Sequence, residues 1–202
     1  MMNRSTPPMA PSNEATREQL DVARAEGDAY RRAMQAMADE EGAVMAQAGD
    51  LVIGFVNEAA EGMYALDGDR LVWQEAAQDA NVHLEVAVAD AGDGRFVPGL
   101  SVRLELTRDG VPVLATELPF LWHPFLHHYG TNAVVPDEGP YRVRVRVEPA
   151  GFMRHDPVNG RRYAEPVEVH FDDVRLTNGR KPSPDAEPRG AEAPSARAGR
   201  VA

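Results

Sequence analysis

The sequence predicts a mainly β protein: an immunoglobulin-like β-sandwich with an N-terminal α-helix before it and a disordered C-terminal tail after it. Three observations carry this reading. Six or seven short stretches alternate or run apolar over strand lengths, turn signals separate them without intervening helices, and a proline-free stretch ahead of them keeps helical spacing. The strands are Leu51–Val56, Val82–Val88, Leu100–Leu106, Pro112–Leu118, Tyr141–Val147 and Val167–Phe171, with Leu71–Trp73 as a short addition. Asp90-Ala-Gly-Asp-Gly, Arg108-Asp-Gly, Asp137-Glu-Gly-Pro and Asn159-Gly supply the turns. In the stretch from Tyr141 to Val147, arginine alternates with valine. Arg142, Arg144 and Arg146 therefore face water while Val143, Val145 and Val147 face the core.

The helix begins where Thr16 and Gln19 form a capping-box pair. Its less polar positions, Leu20, Ala23, Gly27, Tyr30, Met34, Met37, Val44 and Ala48, recur in steps of three and four, interrupted by Glu41. The spacing predicts a helix from Thr16 to Gln47, within a segment 14–48, docked on the domain or on a second subunit. The sandwich domain occupies 50–175. Residues 1–13 are polar and proline-rich and are expected to be disordered. Residues 176–202 are rich in Pro, Ala, Gly, Ser and Arg, and bury too little surface to offset chain entropy.

A length of 202 residues suits one domain with appendages, and 43% hydrophobic residues suffice for a core. No run of about 18 apolar residues is present to span a membrane. The chain has no cysteine, which removes disulfides, thiolate ligands and thiol nucleophiles together. A net charge of −11 argues against nucleic acid and favours a raised local concentration of cations. Nothing resembles Gly-x-Ser-x-Gly. The Asp90 turn lacks the closing glutamate of a calcium loop, and Trp73 and Trp122 read as packing anchors.

Chemistry is concentrated in the six histidines. His83 and Glu85 stand two apart on a strand and so share a face. His123, His127 and His128 lie in the stretch from Leu121 to Asn132, which reads as a loop through Pro124 and Gly130. His155 lies in another loop after Gly151. His170 and Asp172 also share a strand face, at the end of the sandwich, and read as surface. Imidazole with carboxylate and without thiolate suits copper(II), zinc, iron(II) or manganese. Taken singly, each histidine reads as structural or surface rather than as a ligand.

The order of these patches resembles one family. His83-Leu-Glu85 comes first, then Phe96-Val-Pro-Gly-Leu, then His128-Tyr-Gly-Thr-Asn132, then the strand ending in Glu148-Pro149, then Arg154-His155-Asp156. From about Asn81 to Phe171 this is similar to the periplasmic iron-transport accessory family, the copper- and iron-binding proteins of bacterial high-affinity iron uptake. The resemblance implies an immunoglobulin-like sandwich, a homodimer, and His83, His128 and His155 as metal ligands. Glu85 becomes a ligand or the carboxylate of a second metal position. Where the family has a methionine ligand, this sequence has Leu121, so His123 or His127 is expected in its place, with His123 preferred because Pro124 fixes the chain beside it. Met153 is the nearest alternative sulfur. The four residues His83, Glu85, His128 and His155 are expected to converge. The implied cofactor or cargo is copper or iron, with zinc as a further candidate; the implied partner is an iron permease and the implied location the periplasm. The sequence begins without a secretory signal, which leaves the cytoplasm as the alternative location. Two other functional readings stand beside this one. The first is an immunoglobulin-like interaction module with incidental histidines. The second is an oxidoreductase acting on iron through bound copper.

Overall fold

Residues 6–183 are described by a computed structural model. The helix α1 (Arg17–Glu41) leads into β1 (Val44–Ala48) and β2 (Leu51–Glu58), followed by a hairpin of β3 (Met63–Asp67) and β4 (Arg70–Gln74). Then come β5 (Val82–Asp90), β6 (Val102–Arg108), β7 (Val111–Leu118), β8 (Phe120–Leu121), β9 (His128–Ala133), β10 (Pro140–Val147) and β11 (Val167–Arg175). One sheet has the order β1-β2-β5-β9-β8 and the other β11-β10-β6-β7, all antiparallel. Their inner faces meet in a single core. Ile53, Phe55, Leu84, Leu104, Leu106, Val143 and Val145 are each no more than 1% exposed. Removing each such side chain from water contributes about 1.5–3 kcal/mol.

The predicted helix starts as expected. Thr16 Oγ1 accepts from the Gln19 amide while the Gln19 side chain accepts from the Thr16 amide. Its far end is a correction to the expected helix reaching Gln47. Gly42 adopts φ 74, a left-handed cap that stops the helix, and Val44–Ala48 pairs with β2 as an edge strand. Gly49, at φ 55, then turns the chain tightly between Ala48 and Leu51. The periodic apolar positions Val44 and Ala48 fit both patterns, and the two glycines decide between them.

Three further boundaries differ from expectation. The stretch Thr6–Asn13 is docked: Thr6 Oγ1 donates to Gly49 O at 2.9 Å, Asn159 Nδ2 donates to Ala10 O at 2.9 Å, and Ser12 Oγ donates to Asp156 Oδ2 at 3.0 Å. Partners on the domain thus satisfy its polar groups. At the other end Leu176 is 2% exposed, and Gly179 to Lys181 is held by backbone bonds to Ala60 and Asn81. The expectation of disorder for 1–5 and 184–202 lies outside the described residues. Finally, the expected loop Leu121–Asn132 ends in strand: from His128 onward it belongs to β9, paired with β5.

The helix lies on the outer face of the five-stranded sheet, where Ala33, Met34 and Met37 pack on Val56, Ala87 and Ala89. Gly27 permits the approach, because a Cβ there would stand 1.9 Å from the Asp93 carbonyl oxygen. Alternation along β5 then sorts its residues. Val82, Leu84, Val86 and Val88 enter the sandwich core, while Ala87 and Ala89 lie under the helix. By the same two-residue period, His83 and Glu85 are on the helix-covered face. Arg142, Arg144 and Arg146 project from the other sheet, paired with Asp172, Glu105, Glu168 and Glu148, as the alternation with valine predicts.

Candidate metal centre

Three side chains meet on that face. His83 and Glu85 come from β5, and His128 opens β9, in which Tyr129 and Ala133 point into the core and His128 the other way. One ligand atom from each of the three lies within 4.8 Å of the others. His83 Nε2 is 3.6 Å from Glu85 Oε1, and His128 Nε2 is 3.6 Å from Glu85 Oε2. Gly130 pairs with Glu85 across the sheet, and a Cβ there would press on Leu121 Cδ1 at 3.0 Å and His128 Cδ2 at 3.2 Å.

The second ring nitrogens set the tautomers. Asn132 Oδ1 accepts from the Glu61 amide at 3.1 Å, while Asn132 Nδ2 donates to Glu61 O at 2.7 Å, so the amide orientation is fixed. The same Oδ1 lies 3.1 Å from His83 Nδ1, which must therefore carry the proton. His128 Nδ1 lies 2.9 Å from the Leu126 carbonyl and is likewise the donor. Both imidazoles thus turn an Nε2 lone pair toward Glu85. His83 is fully buried, and its Nε2 has no hydrogen-bond partner. Burial lowers both imidazole pKa values; the charge of Glu61 and the Asn132 hydrogen bond oppose this at His83, and the Leu126 carbonyl opposes it at His128. Neutral imidazole is the form that ligates a metal.

Glu85 and His128 open onto a cavity of about 210 Å³ that Met37, Glu58, Glu61, His123, Leu126 and Lys181 help to line, with His83 buried beside it. Leu121 pairs directly with His128 between β8 and β9 and so occupies a place beside the imidazole, where the resemblance implies a thioether. His123 is at the cavity as anticipated, its ring centroid 6.0 Å from that of His128. Its Nδ1 accepts from the amides of Phe125 and Leu126 at 3.3 Å each, so the proton sits on Nε2. That tautomer is opposite to those of His83 and His128. His127 turns away, packing against Phe96, Phe120 and Trp122.

His155 does not join the cluster, contrary to the expected convergence. Its side chain is 86% exposed, with Nδ1 2.9 Å from Glu14. The loop that carries it is held at the Asp90 end of β5, where Arg162 and the Tyr163 hydroxyl contact Asp90 Oδ2 at 2.9 and 2.7 Å. Seven residues of strand, about 23 Å, separate that end from His83. Met153 is 98% exposed in the same loop. Sequence reasoning missed Glu58, Glu61 and Lys181 at the cavity. Glu58 reaches His83 only through the β2–β5 register, and Lys181 lies in the stretch assigned to the tail.

The profile of the Fe2+ transport protein family matches residues 47–177. The chain belongs to that family. Solved structures similar to it include FetP from uropathogenic Escherichia coli strain F11, expressed in the periplasm, at 21% identity and a TM-score of 0.53, covering 67% of this chain and 93% of that one. Copper-reconstituted P19 from Campylobacter jejuni matches at 19% identity and a TM-score of 0.55, covering 68% of this chain and 96% of that one. A copper-bound variant of FetP matches at 22% identity and a TM-score of 0.51, over 66% of this chain and 95% of the other. At these identities the likeness is one of fold. No curated protein sequence matches the chain. The family match leaves out both α1 and Lys181. Among the described residues no helix is long and apolar enough to cross a membrane.

Proposed function

We propose that this Fe2+ transport family member binds a copper or iron ion through His83 Nε2, His128 Nε2 and Glu85, in support of bacterial iron uptake. The observation that carries the reading is the pair of buried imidazoles. Each spends its Nδ1 proton on a fixed acceptor and aims Nε2 at one shared carboxylate. A structural histidine in a core normally satisfies both nitrogens, since a buried polar atom without a partner costs about 1–3 kcal/mol. Two nitrogens and carboxylate oxygen suit copper(II), iron(II) or zinc, and Leu121 in place of a thioether weakens any preference for copper(I). His123 stands at the mouth and becomes a ligand only if its tautomer reverses.

His155 belongs to the set in a different way. On its own chain it is held near Glu14, ahead of α1, whereas Met37 at the cavity is some twenty residues along the helix, about 30 Å away. It therefore completes the site only from a second copy of the chain, which joins the homodimer and the His155 ligand into one proposal. An iron permease in a periplasmic setting is the recipient this reading implies.

Equilibrium dialysis of the purified chain against copper(II), iron(II) and zinc, followed by elemental analysis, tests the centre. One ion per chain is expected, with loss in His128→Ala. A metal-free wild-type chain would instead favour the interaction module. His155→Ala is expected to weaken binding while leaving each chain folded, and the ratio of metal to dimer by light scattering reads the contribution in trans. Unchanged binding in His155→Ala would remove that residue from the set.

A further inference from the structure

Three methionines meet over one glycine on the helix-covered face of the five-stranded sheet. Alternation along β2 sends Ile53 and Phe55 into the sandwich core and turns Val52, Gly54 and Val56 toward α1. Met34 and Met37 stand three apart on α1 and so share a helix face. Met45 of β1 pairs directly across from Gly54. A Cβ on Gly54 would lie 3.2 Å from Met34 Cε, 3.3 Å from Met37 Cε and 3.4 Å from Met45 Cγ. Each of those carbons is bonded to sulfur, so three thioethers surround the place a side chain would fill.

Gly54 is not there for its backbone. It sits in the ladder between Met45 and Ala87 and has no positive φ. A glycine inside a strand gives up packing and marks a close approach, and here methionine makes the approach. Methionine also fills gaps in ordinary cores. Met34 and Met37, 2% and 4% exposed, do pack on Val56 and Ala87. Two features set the trio apart from such packing. A groove of about 310 Å³ runs along Met34 and Met45 between α1 and β1, and Met45, 37% exposed, opens it to solvent. Arg31 and Asp90, the charged residues described along the groove, are paired with Asp28 and Arg162 at 2.9 Å each, so the donors it offers are neutral.

We infer that Met34, Met37 and Met45 form a thioether site for a soft monovalent ion of the copper(I) class, separate from the histidine centre. Thioether sulfur selects copper(I), whereas iron(II), manganese(II) and zinc favour nitrogen or oxygen donors. Three rotatable bonds per side chain let the sulfurs turn onto an ion while α1 and β1 stay in place. All three methionines precede residue 47, where the family match begins, so the site is an addition carried by α1 and the start of β1. It holds whether or not the histidine centre takes a metal.

Silver(I), a redox-inert ion of the same class, is the first probe. It is added to the full chain labelled with carbon-13 at the methionine methyls, which are assigned by single methionine-to-leucine variants. The methyl signals of Met34, Met37 and Met45 should shift together and saturate at one equivalent. The same shifts should persist in His128→Ala, which separates this site from the histidine centre. In that background, Met34→Leu with Met45→Leu conserves side-chain volume and should leave the thermal midpoint nearly unchanged. Copper(I) affinity, read anaerobically by competition with bicinchoninate, should fall at least about tenfold with two of three soft donors gone. Shifts confined to the exposed Met153 and the other methionines would overturn the inference. So would loss of the three shifts in His128→Ala, or unchanged copper(I) affinity in the folded double-leucine variant.

Discussion

Asn132→Ala separates the two jobs of the polar network behind the proposed metal centre. Asn132 makes three contacts: Oδ1 accepts from His83 Nδ1 and the Glu61 amide at 3.1 Å each, and Nδ2 donates to Glu61 O at 2.7 Å. Truncation frees the His83 proton to move to Nε2, the atom that faces Glu85. Because His83 is fully buried, water does not take over the acceptor role. Loss of such an orienting partner typically lowers metal affinity ten- to hundredfold, or about 1.4–2.7 kcal/mol. The stability cost is separate, about 1–3 kcal/mol for the Glu61 backbone groups left behind. Asn132→Asp keeps an oxygen for His83 and should recover much of the affinity, although it loses the Nδ2 donor and so recovers less of the stability. Competition titration with a chromogenic copper chelator, alongside urea unfolding of the metal-free chain, reads the two effects independently. Wild-type affinity in a folded Asn132→Ala chain would refute the tautomer argument. Equal losses in the alanine and aspartate variants would reduce Asn132 to packing.

Gly27→Ala should destabilise the protein by about 1–3 kcal/mol despite the better helix propensity of alanine, because the new Cβ would stand 1.9 Å from Asp93 O and 2.8 Å from Arg95 N. A thermal midpoint that stays or rises would show that α1 does not press on that loop. Asp156 is held at a pKa of about 2, chiefly by the Asn159 side chain, with the amides of Val158 and Asn159 and the Ser12 hydroxyl assisting. Its folded value is depressed, so its stabilising effect is present above the ordinary carboxylate value near 4 and is lost as pH falls from there toward 2. Hydrogen exchange should show the Thr6–Asn13 segment loosening in that window, and a carboxyl titration centred near 4 by NMR would contradict it. Arg144→Gln removes ion pairs to Glu105 and Glu168 at 2.9 and 2.6 Å on a side chain 37% exposed. Solvent screening keeps the cost small, so the thermal midpoint should barely move and metal binding should not change; a fall in metal affinity would link that face to the centre.

The sequence by itself determined the sandwich, because most of its strands alternate or run apolar over strand lengths between turn signals, and it determined the start of α1 through Thr16 and Gln19. It also brought out His83, Glu85 and His128, since pairing on one strand face and the ordered His-x-Glu and His-Tyr-Gly motifs are local facts. The end of α1 was ambiguous because Val44 and Ala48 satisfy both helical and strand periods. Only the tertiary structure decided that Gly42 caps the helix and that the next residues pair with β2. Likewise, the loop order placed His155 in the same list as His83, but sequence order carries no information about which end of β5 a loop lies against. Docking of Arg162 and Tyr163 on Asp90 decided that. Glu58, Glu61 and Lys181 reach the cavity through strand register and a backbone strap, contacts between segments more than twenty residues apart in sequence. Composition had assigned Lys181 to a chain end with nothing to bury. Its neighbours Leu176 and Arg180 find partners on the domain, in the core and in the carbonyls of Ala76, Ala77 and Ala80, which composition does not reveal.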